Sequence, residues 1–141
     1  MHTKQKSPGF LTSVLCATLL TSGSAYAEQL NGDQVNALIS DKTVYAYHEK
    51  KDFDITTYFS PDGKIISARN EEKYIGKWHI QADGSHCIRF NDPYSGEPRK
   101  ERCMFIEKDG DTYKRIKVKP NGRRIHVISY KRFADGNAEN L

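Results

Sequence analysis

The chain has 141 residues, with 22 lysines and arginines against 18 aspartates and glutamates, and its formal net charge is +4. This length suffices for one domain with its own hydrophobic core and is too short for two. A bulk charge of this size gives no warrant for a nucleic-acid-binding protein.

The first 27 residues are typical of an export signal. Lys4 and Lys6 give a positive start, residues 10–20 form an apolar run too short to span a bilayer comfortably, and the small-x-small pattern of a cleavage site ends at Ala27. We therefore predict cleavage after Ala27. The mature chain, residues 28–141, has no transmembrane segment in this reading and lies in the periplasm or outside the cell.

The chain contains three cysteines. Cys16 would suit a lipoprotein signal, but Leu15 precedes it where a small residue is expected. Once the signal is removed, Cys87 and Cys103 remain in an oxidising compartment, and we predict that they form one structural disulfide. The alternative is two free thiols or a redox or metal pair, for which the spacing has no Cys-x-x-Cys character.

One short helix and about eight strands are predicted. Apolar residues recur at helical spacing over residues 30–39, behind a possible N-cap at Asn31 or Asp33. After the helix the periodicity changes to two. Turn signals separate the strand candidates and are Asp62-Gly63, Asp83-Gly84, Ser95-Gly96, Asp109-Gly110 and Asn121-Gly122.

Short links between all the strands favour an antiparallel up-and-down meander, because parallel strands need longer crossovers. Eight such strands predict a small closed or nearly closed barrel with the helix over one end, and a two-layer sandwich is the alternative. The single β-barrel-like domain is predicted over residues 28–133. The polar tail, residues 134–141, is predicted to be disordered.

The last hairpin predicts a basic surface. With a two-residue turn at Asn121-Gly122, the expected opposite pairs are Val118 with Ile125, Ile116 with Val127, and Tyr113 with Tyr130. One face is then apolar, and the other could bind an envelope protein, a cell-wall polymer or a lipid head group. A row of basic side chains along a strand is also typical of a face that is simply exposed to solvent. The predicted basic face consists of Arg115, Lys117, Lys119 and Arg124, with His126.

The central stretch, which holds the only tryptophan, leaves two registers open. If Cys87 lies directly opposite Cys103 and a three-residue turn precedes them, Trp78 faces the core opposite Ile88. A two-residue turn would instead bring the cysteines inward beside Trp78.

No constellation of residues predicts catalysis. His79 and His86 could meet across a turn, but two histidines without a carboxylate or thiolate beside them make a poor zinc site. The adjacent carboxylates Glu71 and Glu72 are typical of a solvated turn. Nucleophile-elbow, zinc-protease and phosphate-loop motifs do not occur. We predict a protein that is not an enzyme and that needs no cofactor or metal.

Two further features bear on binding. The loop over residues 91–99 carries Tyr94 and is tethered by the predicted disulfide, as expected of a recognition tip or of a hairpin end stiffened by two prolines. The candidate inward side chains are bulky, so a filled interior is expected rather than a ligand cavity. These candidates are Phe53, Ile55, Phe59, Trp78, Ile88, Phe90 and Met104.

The residues Gly76-Lys77-Trp78, Asp83-Gly84-Ser85-His86-Cys87 and Cys103 carry a resemblance. The chain resembles a group of small exported proteobacterial β-proteins of unknown function with a Gly-x-Trp, Asp-Gly-x-x-Cys, Cys pattern after a short helix. The likeness covers residues 30–130 and implies fold and export, without a catalytic residue. By architecture alone the chain is also similar to lipocalin-type and lysozyme-inhibitor-type barrels, which says little about function.

The sequence therefore predicts an exported, non-enzymatic binding protein of the bacterial envelope. Its expected mode is recognition of a protein or an anionic polymer through the surface, with Arg115, Lys117, Lys119, Arg124, Tyr94 and Trp78 as candidate binding residues. The alternatives are a small apolar-ligand carrier, which would have a lipocalin-like cavity beside Trp78, and an enzyme of unknown type.

Overall fold

The computed structural model describes residue 9 and residues 27–141, so most of the predicted signal peptide lies outside the described residues. Residues 27–141 form one helix and nine strands. These are β1 (Glu28–Gln29), α1 (Gly32–Ile39), β2 (Lys42–His48), β3 (Phe53–Phe59), β4 (Lys64–Arg69), β5 (Glu72–Ile80), β6 (His86–Phe90), β7 (Arg102–Asp109), β8 (Thr112–Val118) and β9 (Arg124–Asp135). No helix in this part of the chain has the length and apolar character needed to cross a membrane.

Strands β2 to β9 form a closed antiparallel barrel. Each strand pairs with the next along the chain, and β9 pairs back with β2 to close the ring. The short strand β1, which the sequence did not predict, adds two residues beside Glu107 and Lys108 of β7. The predicted eight-stranded meander and barrel are therefore confirmed, and the chain does not form the sandwich.

Helix α1 closes one end of the barrel. Asn31 caps it, because its side chain accepts a hydrogen bond from the Gln34 N–H while the Gln34 side chain accepts one from the Asn31 N–H, both at 2.9 Å. Val35 and Ile39 are fully buried among the core side chains. Gly84, at φ +84°, allows the β5–β6 turn to approach the start of the helix, because a Cβ there would lie 3.3 Å from the Gly32 nitrogen.

The disulfide pins β6 to β7. Cys87 lies opposite Cys103 and their sulfurs are 2.05 Å apart, while Trp78 lies opposite Ile88. The Gln81 N–H donates to the Ser85 carbonyl at 2.9 Å, so the turn between β5 and β6 comprises three residues, 82–84, and the register with Trp78 in the core is the correct one. Because Cys87 alternates with the inward Ile88, the bridge lies on the outer face of the barrel.

The register of the last hairpin differs from the prediction at its tip. The turn spans residues 119–123, and the observed pairs are Val118 with Arg124, Lys117 with Ile125 and Ile116 with His126. A bulge between Arg115 and Ile116 then restores the predicted register, so that Tyr113 lies opposite Tyr130. The extra residue of the bulge is Val127 on β9, and the consecutive Val127 and Ile128 therefore both line the barrel interior.

The C-terminal tail is ordered, in contrast to the disorder expected for residues 134–141. Strand β9 continues to Asp135, and the buried Thr43 hydroxyl then donates to the Gly136 carbonyl at 2.6 Å and accepts from the Ala138 N–H at 2.9 Å. A buried hydroxyl is stabilised by such partners, so this contact fixes a segment whose composition is polar.

Candidate functional site

The barrel encloses a cavity of about 250 Å³. Its lining includes His48 and Arg69, at the ends of β2 and β4, and Arg102, at the start of β7. These positions lie at the end of the barrel remote from α1, so the helix forms a floor and the other end is the mouth. The expectation of a filled interior is therefore wrong.

The cavity exists because small side chains alternate with large ones on the inner face. Ala46, Thr57 and Ser67 all face inward between bulkier neighbours. The Thr57 and Ser67 hydroxyls bond to each other at 2.9 Å, so each of these two polar groups has a partner. The larger apolar side chains of the lining are Val44, Ile55, Phe59, Ile65, Ile88, Phe90, Met104, Val127 and Ile128.

Trp78, a candidate binding residue, is buried next to the cavity without lining it. Its ring packs edge-on against Phe59, which does line the cavity, with 5.7 Å between ring centroids. Its indole N–H donates to the Ser60 carbonyl at 2.9 Å. Trp78 is therefore a core residue that packs against a lining residue without lining the cavity itself.

The polar part of the lining is cationic. None of the described residues that line the cavity is acidic, whereas six are lysines or arginines. Five of these surround the mouth and are Lys51, Arg69, Arg99, Lys100 and Arg102. The pKa of His48, at the same rim, is lowered first by partial burial and then by the positive charge of Lys51. The lining residues at the mouth are therefore cationic.

The sixth cation, Arg115, lies deep in the barrel and is only 5% exposed. One guanidinium nitrogen, Nη2, donates to the His86 carbonyl at 3.1 Å, but Nε has no hydrogen-bond partner among residues 27–141. Burial lowers the pKa of Arg115, yet an arginine starts so high that it keeps its charge. No ion pair to a carboxylate involves Arg115 in the described chain.

Two other buried polar groups lie close to this arginine. Tyr130 lines the cavity, and neither its buried hydroxyl nor the two ring nitrogens of His86 has a partner within the described segment. Burial raises the pKa of Tyr130, so its hydroxyl keeps its proton. The pKa of His86 lies well below its usual value because of burial and, second, the charge of Arg115, so the imidazole is neutral.

The predicted basic face is not assembled as one surface. Arg115 points into the barrel and is buried, whereas Lys117 and Lys119 are exposed near the C-terminal end of β8. Arg124 forms an ion pair with Glu107 on β7 and donates to the Gln29 side chain at 3.1 Å. Of the four predicted cations, two therefore remain as unengaged surface charges.

The loop tip is exposed but internally braced. Tyr94 is 88% exposed. The Asp92 carboxylate accepts from the Tyr94 and Ser95 N–H groups at 3.0 and 3.1 Å and from Arg99 Nη2 at 2.8 Å. The hydrogen bond from Arg99 and those from the backbone lower the pKa of Asp92 to about 2. This network holds the loop without forming a pocket around Tyr94.

His79 and His86 do not meet, because His79 faces outward and His86 inward. Instead His79 Nε2 lies 3.0 Å from a Glu101 oxygen, and the Cys87 sulfur lies within 4.8 Å of both ligand atoms. A metal requires the thiolate of cysteine, and Cys87 is bonded to Cys103. In the oxidised protein only two donors are left there, too few for a zinc site.

Fold and site together define a small closed antiparallel barrel. Its cavity is closed at one end by α1 and open at the other, and its lining is apolar and cationic. Comparison with known proteins finds no family model, no curated protein and no solved structure that matches the chain. The resemblance to exported proteobacterial β-proteins therefore stays a prediction, as do export and an envelope location.

Proposed function

We propose that this protein is a non-enzymatic binding protein that holds one small, largely apolar molecule inside its barrel. The observation that supports the proposal is the interior cavity of about 250 Å³. Pockets for drug-sized ligands usually span roughly 300–1,000 Å³, so the ligand is smaller than these. Eight-stranded barrels offer room for one such ligand.

The chemistry of the wall supports a hydrophobic contribution to binding. Removing apolar surface from water is worth about 25 cal/mol per Å², and the aliphatic side chains of the lining provide that surface around the ligand. The closed hydrogen-bonded ring and the disulfide keep the wall in place before binding. Such preorganisation reduces the conformational entropy that the site loses when a ligand binds.

Binding of a protein or an anionic polymer through the surface, as expected from the sequence, has weaker support. Arg115 lies inside the barrel and Arg124 is engaged by Glu107, so a continuous anion-binding face is not available there. The cavity is the concave site with both apolar area and convergent polar groups, which is the arrangement typical of small-molecule sites.

A cavity-filling variant tests the proposal. Ala46 on β2 faces the cavity, whereas Ala68 on β4 faces outward, between the inward residues Ser67 and Arg69. Isothermal titration calorimetry with octan-1-ol should show binding to the wild type with a negative heat-capacity change. Ala46→Leu should weaken binding about tenfold or more, and Ala68→Leu should leave it unchanged. Equal affinity in the wild type and Ala46→Leu, or no binding at all, would refute the proposal.

A further inference from the structure

The buried Arg115 guanidinium lacks a counter-charge. Moving a cation from water into a protein interior costs several kcal/mol unless it is paired and hydrogen-bonded. Within residues 27–141 this side chain has one acceptor, the His86 carbonyl, for its five N–H groups. A cation kept at such a position needs an anion from elsewhere.

The Tyr130 hydroxyl lies on the same wall. Arg115 on β8 is opposite Ile128 on β9, and Tyr130 is two residues further along β9, so the two side chains are diagonal neighbours on one face of the sheet. Both line the cavity. Both present hydrogen atoms without an acceptor in the described chain. Two donors without partners therefore belong to neighbouring residues of the wall, and the lining offers no carboxylate.

From this arrangement we infer that the ligand is a small amphipathic monocarboxylate, whose head group binds Arg115 and Tyr130 deep in the barrel and whose apolar part lies along the aliphatic wall. The inference rests on the proposed function, because it assigns a head group to the ligand of the same cavity. The planar guanidinium fork matches a carboxylate through two parallel N–H···O bonds.

The charges at the mouth agree with an anionic ligand. Five cations surround the opening, and a cleft lined by charges of one sign raises the local concentration and the association rate of its counter-ion. Three of these cations already have neighbours, because Arg69 stacks over Tyr74 at 4.0 Å, Arg99 pairs with Asp92, and Lys51 lies beside His48. The mouth therefore guides the anion, and Arg115 binds it.

The test compares octanoate with octan-1-ol by isothermal titration calorimetry on the folded, disulfide-bonded protein. Wild type should bind octanoate at least tenfold more tightly than octan-1-ol, because a hydrogen bond to a charged group adds that much. Arg115→Met should remove this preference and leave octan-1-ol binding within about threefold. Tyr130→Phe should weaken the binding of octanoate a few-fold and leave the binding of octan-1-ol unchanged. This variant provides the test if Arg115→Met does not fold. The outward Arg89→Met is the matched control, expected to change neither affinity.

The outcomes separate the two proposals. Equal binding of acid and alcohol overturns the head-group assignment and leaves the cavity proposal standing, whereas binding of neither ligand refutes both. If Arg102→Met at the mouth weakens octanoate while Arg115→Met does not, the head group lies at the rim and the assignment to Arg115 is wrong. Raising the salt from 0.15 to 0.5 M should change the octanoate affinity of a buried pair by less than threefold.

Discussion

Replacing Arg115 with methionine should stabilise the ligand-free protein. Methionine matches the length of the arginine stem, fills irregular gaps and brings no charge into the barrel. If the arginine serves to bind a ligand, its desolvation lowers the stability of the ligand-free protein. Removing the charge should then raise the free energy of unfolding. Stability and ligand binding should then change in opposite directions at this single position.

The magnitude follows from the surroundings of the guanidinium. Exchanging a buried ion for a well-packed apolar side chain is often stabilising by about 1–4 kcal/mol. Against this gain stands the His86 carbonyl, which loses the 3.1 Å hydrogen bond from Arg115 at a cost of about 1 kcal/mol. The expected net effect of Arg115→Met is an increase in the free energy of unfolding of about 0–3 kcal/mol.

Urea unfolding at pH 7, followed by tryptophan fluorescence, measures this difference. Trp78 is buried in the core and is the only tryptophan, so its emission reports global unfolding. Arg89→Met removes an exposed arginine on the outer face of β6 and should change stability by no more than about 0.5 kcal/mol. A loss of stability of 1 kcal/mol or more in Arg115→Met, with the control unchanged, would refute the view that this cation is uncompensated.

Three further predictions concern the barrel wall. Gly76→Ala should destabilise the protein by about 1–3 kcal/mol in urea unfolding, since a Cβ there would lie 2.1 Å from the Arg89 carbonyl oxygen across β6, and an unchanged midpoint would contradict that close approach. Reducing the Cys87–Cys103 bridge, whose cysteines are 16 residues apart, should lower the free energy of unfolding by about 3 kcal/mol. Urea curves with and without a phosphine reductant measure this difference, and a value below 1 kcal/mol would contradict the prediction. His86 has a folded-state pKa well below the ordinary 6.5, so protonation favours the unfolded chain, and stability should fall as the pH is lowered from 6.5 towards 5, by at most about 1.4 kcal/mol per pH unit. The same pH series on His86→Phe should be flatter, and equal slopes in the two proteins would rule His86 out as the cause.

Local signals explain why most of the barrel could be predicted. Strands β3 and β4 flank the predicted Asp62-Gly63 turn, because period-two alternation and the turn are both encoded within a few positions. The glycines of the other predicted turns, such as Gly84 and Gly122, have positive φ as expected. The pairing of Cys87 with Cys103 could be predicted because they are the only two cysteines after the predicted signal peptide.

The parts that were missed depend on competition between distant groups. The bulge beside Arg115 arises where the wider turn at residues 119–123 must be reconciled with the pairing of Tyr113 and Tyr130, and no single stretch shows this conflict. The cavity likewise depends on how a closed ring distributes small and large side chains. The alternation of Ala46 and other small residues was visible in the sequence, but their meeting across the barrel was not.

The most direct measurement is an amide and methyl NMR titration of the isotope-labelled protein with octanoate. The proposal that the ligand lies inside the barrel predicts saturable chemical-shift changes at Ala46, Thr57 and Ser67 on the cavity wall, with little change at the exposed Lys117. Shifts confined to the exposed Lys117 and Lys119, or no saturable shifts anywhere, would contradict it.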